Sequence, residues 1–124
     1  EDIFNAQVHV IRSIASREPC VIVGRLASFI LKDRPNTLNL FLSADLEFRA
    51  KAIAEKMQMP LDKARKLVKR EDTMRARYCE RFTGAPWGLA CHYGLAVHTS
   101  DYGLENSTQL ILDAIDQAIC KVED

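Results

Sequence analysis

An excess of charge of either sign is the first thing this sequence lacks. Seventeen lysines and arginines, 17 in all, stand against 17 aspartates and glutamates in 124 residues, for a net charge of zero. No global field therefore draws the chain to nucleic acid or to an anionic membrane, and any electrostatic function must come from a local patch. Long apolar runs are missing too: no stretch approaches the roughly 20 residues needed to cross a bilayer. The start, Glu1-Asp2-Ile3-Phe4, is no signal peptide, so a cytoplasmic protein is the expectation. It is not a methionine either, which suits a processed product or a fragment. Tight cysteine pairs are also absent. Cys20, Cys79, Cys91 and Cys120 are widely spaced and read as reduced thiols. Without a C-x-x-C pair, Cys79, Cys91, His92 and His98 are expected to pack in the ordinary way and to hold no metal. No internal repeat, low-complexity tract or long linker divides residues 1–124, which read as one domain.

What is present alternates between two periods. Phe4, Val8, Ile11 and Ala15, with Val10 and Ile14 alongside, lie at helical spacing and predict a helix over residues 4–16. His9 sits on its surface or edge. Pro19 ends it, and Cys20-Val21-Ile22-Val23-Gly24-Arg25 follows, a β-branched run closed by glycine that reads as a buried strand entering a turn. Buried strands of this kind belong to parallel sheets covered by helices, and ligands gather at their carboxyl ends. Arg25 stands at that position, and its fork of donors suits phosphate or carboxylate. Residues 26–31 predict a short, largely buried helix and residues 32–36 a turn.

Residues 38–43 predict a second strand, apolar on both sides apart from Asn39 and so interior. Ser43 or Asp45 can cap the next helix, residues 45–57, whose inward stripe is expected to be Phe48, Ala52 and Ile53. After Met59-Pro60 a second helical stretch opens at Leu61. It is the most unusual part of the chain in charge. Lys63, Arg65, Lys66, Lys69, Arg70, Arg75, Arg77 and Arg81 face only Asp62, Glu71, Asp72 and Glu80, a local balance of plus four over residues 61–82. Two accounts fit: a solvated helix laced with ion pairs, or a long, basic, half-buried helix projecting from the body. Residues 83–88 form a turn-rich loop carrying Trp87, residues 93–99 a third strand, and residues 105–122, after Gly103, a last helix with Leu110, Ile111, Ala114, Ile115, Ala118 and Ile119 at helical spacing. The alternation is that of a parallel α/β sheet flanked by helices.

In this order the segments resemble the cytidylate kinase-like family, a branch of the P-loop nucleoside monophosphate kinases. The matching residues are Cys20-Val21-Ile22-Val23-Gly24-Arg25-Leu26-Ala27 with Ile30-Leu31, and Phe41-Leu42-Ser43-Ala44 with Glu47 and Arg49. They continue in Asp72, Arg75, Tyr78, Thr83-Gly84 and Trp87-Gly88, and close with Tyr93-Gly94-Leu95-Ala96-Val97-His98-Thr99-Ser100. The resemblance implies a P-loop NTPase-like sheet and a mobile helical lid over residues 61–82. It also implies transfer of the γ-phosphoryl group of ATP, with Mg2+, to a nucleoside monophosphate such as CMP or dCMP. Under it, Arg70, Arg75 and Arg77 close over the phosphates as the catalytic set. Arg25 and Gly24, with Asp72 and Tyr78, hold the acceptor, and Thr99 and Ser100 approach the adenine. Nucleotides are then the partners, not nucleic acid or membrane, and self-association stays open. Arg70 and Arg77, seven apart, can share a helical face, whereas Arg75 lies elsewhere.

Two departures accompany the resemblance. Leu26 follows Gly24-Arg25 where cytidylate kinases proper usually have aspartate, which bears on cytidine specificity. No G-x-x-x-x-G-K-[ST] occurs among Gly24, Gly84, Gly88, Gly94 and Gly103, so the loop that cradles ATP phosphates is not in this sequence. In the family that loop and a central strand precede the helix at which this sequence begins, within a portion of about 70 residues. That strand lies between the strands corresponding to residues 20–24 and 38–43. Its omission would leave unpaired backbone on both sides, unless those two strands pair directly or with another chain.

Three readings compete on the sequence: the C-terminal two-thirds of such a kinase, inactive by itself; a non-catalytic nucleotide- or protein-binding module; and a nucleic-acid-binding helix at residues 61–81, against which the interspersed acids and neutral charge argue. Trp87 is expected to anchor packing, Asp72 to orient Arg75 as an ion-pair partner, and His98 to be a satisfied structural histidine. Tyr78 can either pack or reach a phosphate.

Overall fold

The computed structural model describes the backbone over residues 2–123 and the side chains over residues 3–118. Ile119, Cys120 and Val122, which entered the expectations for the last helix and the thiols, have side chains outside the described residues. Helix α1 (Asp2–Arg17) buries Ile11, with Val8 and Ala15 beside it, against Ala27, Ile30 and Leu31 at the short helix α2 (Ala27–Ile30). Arg34 Nη2 donates to the Ala15 carbonyl at 2.8 Å and ties the following turn back to α1.

Between these helices residues 20–23 form no strand and have no strand partner among the described residues. Ile22 packs into the core shared by α1 and α2, while Val21 and Val23 are 91% and 88% exposed. The alternation is that of a strand whose second face is bare. The expected buried strand is corrected to an unpaired segment, because a strand exists only with a neighbour to complete its ladder. Burying each valine would be worth about 1.5–3 kcal/mol, which this arrangement leaves unrealised.

The sheet consists of β1 (Leu40–Ser43) and β2 (Leu95–His98), parallel, with Leu40 opposite Leu95 and Ser43 opposite His98. The direct pairing of β1 with residues 20–23 does not occur. Val97 is buried, but Leu42 is 54% exposed, so β1 is not interior on both faces as expected. No described element covers that side of it. Phe41 meets Trp87 edge-on at 5.5 Å between ring centroids and Tyr93 at 5.0 Å, which makes Trp87 the packing anchor anticipated for the loop.

Gly88, at φ 79°, lets the backbone pass Phe41 so closely that an added Cβ would stand 3.0 Å from Phe41 Cζ. Gly88→Ala is therefore expected to lower stability by about 1–2 kcal/mol from left-handed backbone strain alone. An unchanged urea midpoint would refute that expectation.

Helix α3 (Leu46–Met57) and helix α4 (Leu61–Thr83) form an antiparallel-type hairpin across Gln58-Met59-Pro60. They approach through small side chains: Ala50 and Ala64 are wholly buried and Val68 nearly so, with Leu46, Ile53, Ala54, Met59 and Leu61 around them. The expected stripe is corrected in register. Phe48 and Ala52 are exposed, because the partner helix approaches the Ala50 side, and only Ile53 of the three faces inward. At its far end α4 packs on α1, where Phe4 stacks on Phe82 at 4.5 Å. That end of α4 is therefore held against α1. Gly84, at φ 71°, closes α4 by donating its N–H to the Glu80 carbonyl at 2.9 Å.

Helix α5 (Thr99–Glu123) is interrupted at Gly103, whose φ of 82° and ψ of 170° divide a first turn from the long segment anticipated after it. Leu110 is 40% exposed and Ala118 is also exposed, so the expected stripe is only partly inward, with Ile111, Ala114 and Ile115 half-buried. The whole is a helix-rich, partial α/β architecture with a small parallel sheet between helices. No helix among the described residues is long and apolar enough to cross a membrane.

Candidate functional site

Three successive residues, Gly24, Arg25 and Leu26, have φ of 73°, 59° and 56°. Only glycine adopts that region freely, and each of the other two costs about 1–2 kcal/mol there. The Ala27 N–H closes the turn on the Gly24 carbonyl at 3.1 Å. Arg25 is carried on this turn with its side chain exposed and no ion-pair partner among the described residues. Strain of this sort persists where a position is put to use.

The carboxyl edge of the sheet is tied by side chains. Ser43 Oγ and His98 Nδ1 are 3.0 Å apart, and His98 Nε2 lies 2.9 Å from Asp45 Oδ1. The Asp45 N–H donates to Ser100 Oγ at 3.0 Å, and Thr99 Oγ1 donates to the Ser43 carbonyl at 3.1 Å. His98 thus has a partner at both ring nitrogens, as a structural histidine requires. The two hydroxyls expected near adenine, on Thr99 and Ser100, are here spent on locking α5 to the end of β1. Asp45 does precede α3 at the capping position, but neither it nor Ser43 makes a side-chain cap, because the Asp45 carboxylate turns to His98 instead.

A second tie runs from the same edge to α4. Arg49 Nε donates to the Ala44 carbonyl at 2.9 Å, and its Nη1 donates to both Asp72 oxygens, at 2.9 and 2.8 Å. Asp72 also receives Arg75 Nη1 at 3.4 Å, the ion pair anticipated for it. Arg49 is the residue that sequence reasoning undervalued. It and Asp72 are 23 residues apart on different helices, and no local spacing joins them. Tyr78 donates its hydroxyl to Gln7 Oε1 at 3.2 Å and leans on Phe82 at 4.8 Å, so in this structure it packs between α4 and α1.

Arg70 and Arg77 fall on one exposed face of α4, which continues unbroken from one to the other, and neither has an ion-pair partner among the described residues. The structure therefore brings Asp72 and Arg75 together, aligns Arg70 with Arg77, and joins Arg25 to none of them by a hydrogen bond or ion pair among the described residues.

On the outer side of the hairpin Arg65 bridges Glu47, Nε to Oε1 at 2.6 Å and Nη2 to Oε2 at 3.1 Å, and also reaches Asp62 at 2.6 Å. The hydrogen bond from Arg65 holds the Glu47 carboxyl below its ordinary value of 4.5. A carboxyl depressed on folding adds stability above its unfolded value and loses it as pH falls through the folded one. Glu47→Gln is accordingly expected to be destabilising at pH 7 and nearly neutral well below pH 4.5, read as converging urea midpoints. A gap that persisted in acid would refute the assignment. The effect is small because the pair is exposed.

Comparison with known proteins gives the family and the fold it shares. Residues 1–101 match the sequence profile of the cytidylate kinase-like family. A cytidylate kinase from Aeropyrum pernix is 34% identical over 101 residues, which are 81% of this chain and 58% of that protein. The chain thus spans little more than half the length of that relative. A crystal structure of an uncharacterized protein from Eubacterium ventriosum superposes with a TM-score of 0.89 at 29% identity, covering 94% of this chain and 66% of the other. With four-fifths of the sequence inside the profile and the fold shared, this chain belongs to the cytidylate kinase-like family.

Proposed function

We propose that this chain supplies the acceptor-binding and lid portion, residues 61–82 being the lid, of an enzyme that transfers the γ-phosphoryl group of ATP to a nucleoside monophosphate of the CMP or dCMP type. The observation that carries the reading is the set of guanidinium groups with no ion-pair partner among the described residues, Arg25 on its strained turn and Arg70 and Arg77 on one face of α4. An acceptor-phosphate oxygen bonds to the γ-phosphorus while the bond from that phosphorus to the β–γ bridging oxygen breaks, leaving ADP. The protein contributes positioning and positive charge rather than covalent chemistry.

In this reading Arg25 and Gly24 hold the acceptor phosphate, and Arg70 and Arg77 neutralise charge on the phosphoryl group in flight. Asp72, fixed by Arg49, sets the direction of Arg75 as the third lid cation. Tyr78 serves the acceptor side through the packing of α4 on α1, and Thr99 and Ser100 shape the adenine side by holding the strand edge. Mg2+ would screen the ATP phosphates. Among the described residues no grouping of three or more histidine, cysteine, aspartate or glutamate side chains could hold it, so no step is assigned to the ion through this chain.

The sequence contains no G-x-x-x-x-G-K-[ST], and the ATP loop in this proposal belongs to polypeptide outside these 124 residues. The test is nucleotide binding and phosphoryl transfer by the full-length polypeptide with ATP and each of CMP, dCMP, UMP and AMP. Transfer to CMP or dCMP is expected, and binding of neither ATP nor any monophosphate would overturn the reading. The 124-residue chain on its own is expected to be inactive.

A second reading, a non-catalytic binding module of the same fold, draws on the bare face of Val21 and Val23. Coding sequence upstream of Glu1 that lacks the ATP loop would favour it.

A further inference from the structure

Ser43, His98 and Asp45 form a chain at the carboxyl edge of the sheet, and its two hydrogen bonds decide where the protons lie. Asp45 Oδ1 is 2.9 Å from His98 Nε2, and among the described residues Asp45 pairs with no lysine or arginine. Arg49, the nearby cation, is turned to the Ala44 carbonyl and to Asp72. An ionised carboxylate only accepts, so the neutral ring carries its hydrogen on Nε2 and leaves a lone pair on Nδ1. Ser43 Oγ, 3.0 Å from Nδ1, is then the donor. A hydroxyl donating to an imidazole that a carboxylate orients from the other side is the arrangement of an activated nucleophile.

The surroundings hold this chain in place and leave it reachable. Thr99 Oγ1 donates to the Ser43 carbonyl at 3.1 Å, and Ser100 Oγ receives the Asp45 N–H at 3.0 Å, so the hydroxyl and the orienting acid are both fixed from α5. Ser43 is half-buried, and the His98 side chain is 38% exposed. Helix α3 begins at Leu46, three residues after Ser43, with no side-chain cap, and the N–H groups of its first turn suit an oxygen that gains negative charge. Phe48, 47% exposed, stands one turn along α3 from Asp45 and offers an aromatic ring on the same side of the helix.

We propose that Ser43 is a nucleophile toward activated acyl esters with an aromatic leaving group, with His98 as its general base and Asp45 as the residue that positions the base. The Ser43 oxygen bonds the ester carbonyl carbon while its proton passes to His98 Nδ1. The bond from that carbon to the aryl oxygen breaks, and the departing aryl oxide takes the proton. Water, deprotonated in turn by Nδ1, adds to the acyl-serine, and the carboxylic acid leaves as Ser43 recovers its hydrogen. No nucleotide takes part, so the inference is independent of the kinase reading.

The test is labelling of the full-length polypeptide by diisopropyl fluorophosphate without nucleotide, the rate at each serine read by peptide mass. The reagent joins phosphorus to the attacking Oγ as its P–F bond breaks. Ser43 is expected to react about tenfold or more faster than Ser16, an exposed serine of the same molecule. Release of 4-nitrophenolate from 4-nitrophenyl acetate is expected to fall to background in Ser43→Ala. His98→Asn, which keeps a polar atom near the place of Nδ1 but supplies no base, is expected to slow labelling about 100-fold and to abolish its rise with pH. Asp45→Asn offers Nε2 a donor, favours the tautomer with its hydrogen on Nδ1, and is expected to slow labelling about tenfold at an unchanged urea midpoint. Ser43 reacting no faster than Ser16 in the unaltered protein would overturn the proposal, and that comparison needs no variant to fold. Ester cleavage unchanged in Ser43→Ala, or labelling in His98→Asn that keeps the original pH dependence, would overturn it as well and leave His98 a structural role alone.

Discussion

Under the kinase function proposed above, Asp72→Ala is expected to lower kcat for phosphoryl transfer about 100-fold, the scale set by loss of a preorganised charge at a reacting centre. The reason lies in what Asp72 holds. It accepts Arg49 at 2.8 Å and Arg75 at 3.4 Å, while Arg49 reaches the Ala44 carbonyl at the end of β1. Without the carboxylate, Arg75 loses its direction and α4 loses its tie to the sheet edge. Arg49, 34% exposed, keeps only the carbonyl. Stability falls by about 1–2 kcal/mol, less than for a fully buried pair because water screens this one. Arg49→Ala should mimic the loss, and the double variant should cost less than the sum of the single ones. Full activity in Asp72→Ala, with an unchanged melting temperature, would remove Asp72 and Arg49 from the mechanism.

The largest structural effect is expected at Ala50. Ala50 and Ala64 have no exposed surface, and they set how closely α3 and α4 approach. Ala50→Leu forces a larger side chain into a filled seam, at a cost of about 3 kcal/mol, which lowers the melting temperature by about 10 °C in a chain of this length. Ala52→Leu, two residues away and exposed, is the control and should change little. A reversal, with Ala52 sensitive and Ala50 tolerant, would restore the inward stripe expected from periodicity and contradict the observed register.

That register shows where sequence reasoning stops. The 45–57 segment is helical as the pattern implies, within a residue at its start. Which side faces inward was misjudged because Phe48 outweighs Ala50 on any hydrophobicity count, whereas a close helix crossing selects small side chains. Residues 20–23 carry the opposite lesson. Their period and β-branching are those of a strand, and Ile22 behaves as one, yet Val21 and Val23 remain bare because pairing is a property of the neighbour.

The candidate site divides in the same way. That Arg70 and Arg77 share a face follows from a continuous helix. That Arg25 stands on a turn follows from the glycine before it, but the left-handed backbone at Arg25 and Leu26 does not. Ser43 with His98, Asp45 with His98, and Arg49 with Asp72 join residues 23 to 55 positions apart.

The sequence by itself determined the order and kind of nearly every element, the basic character of α4 and membership of the cytidylate kinase-like family. These rest on local periodicity, local charge and ordered motifs. Only the tertiary structure decided which α3 face is buried, that residues 20–23 are unpaired, that Tyr78 packs on α1, and which α4 cations are already neutralised. Each of those depends on contacts between distant parts of the chain, and free energy gained across such contacts leaves no period in the sequence to read.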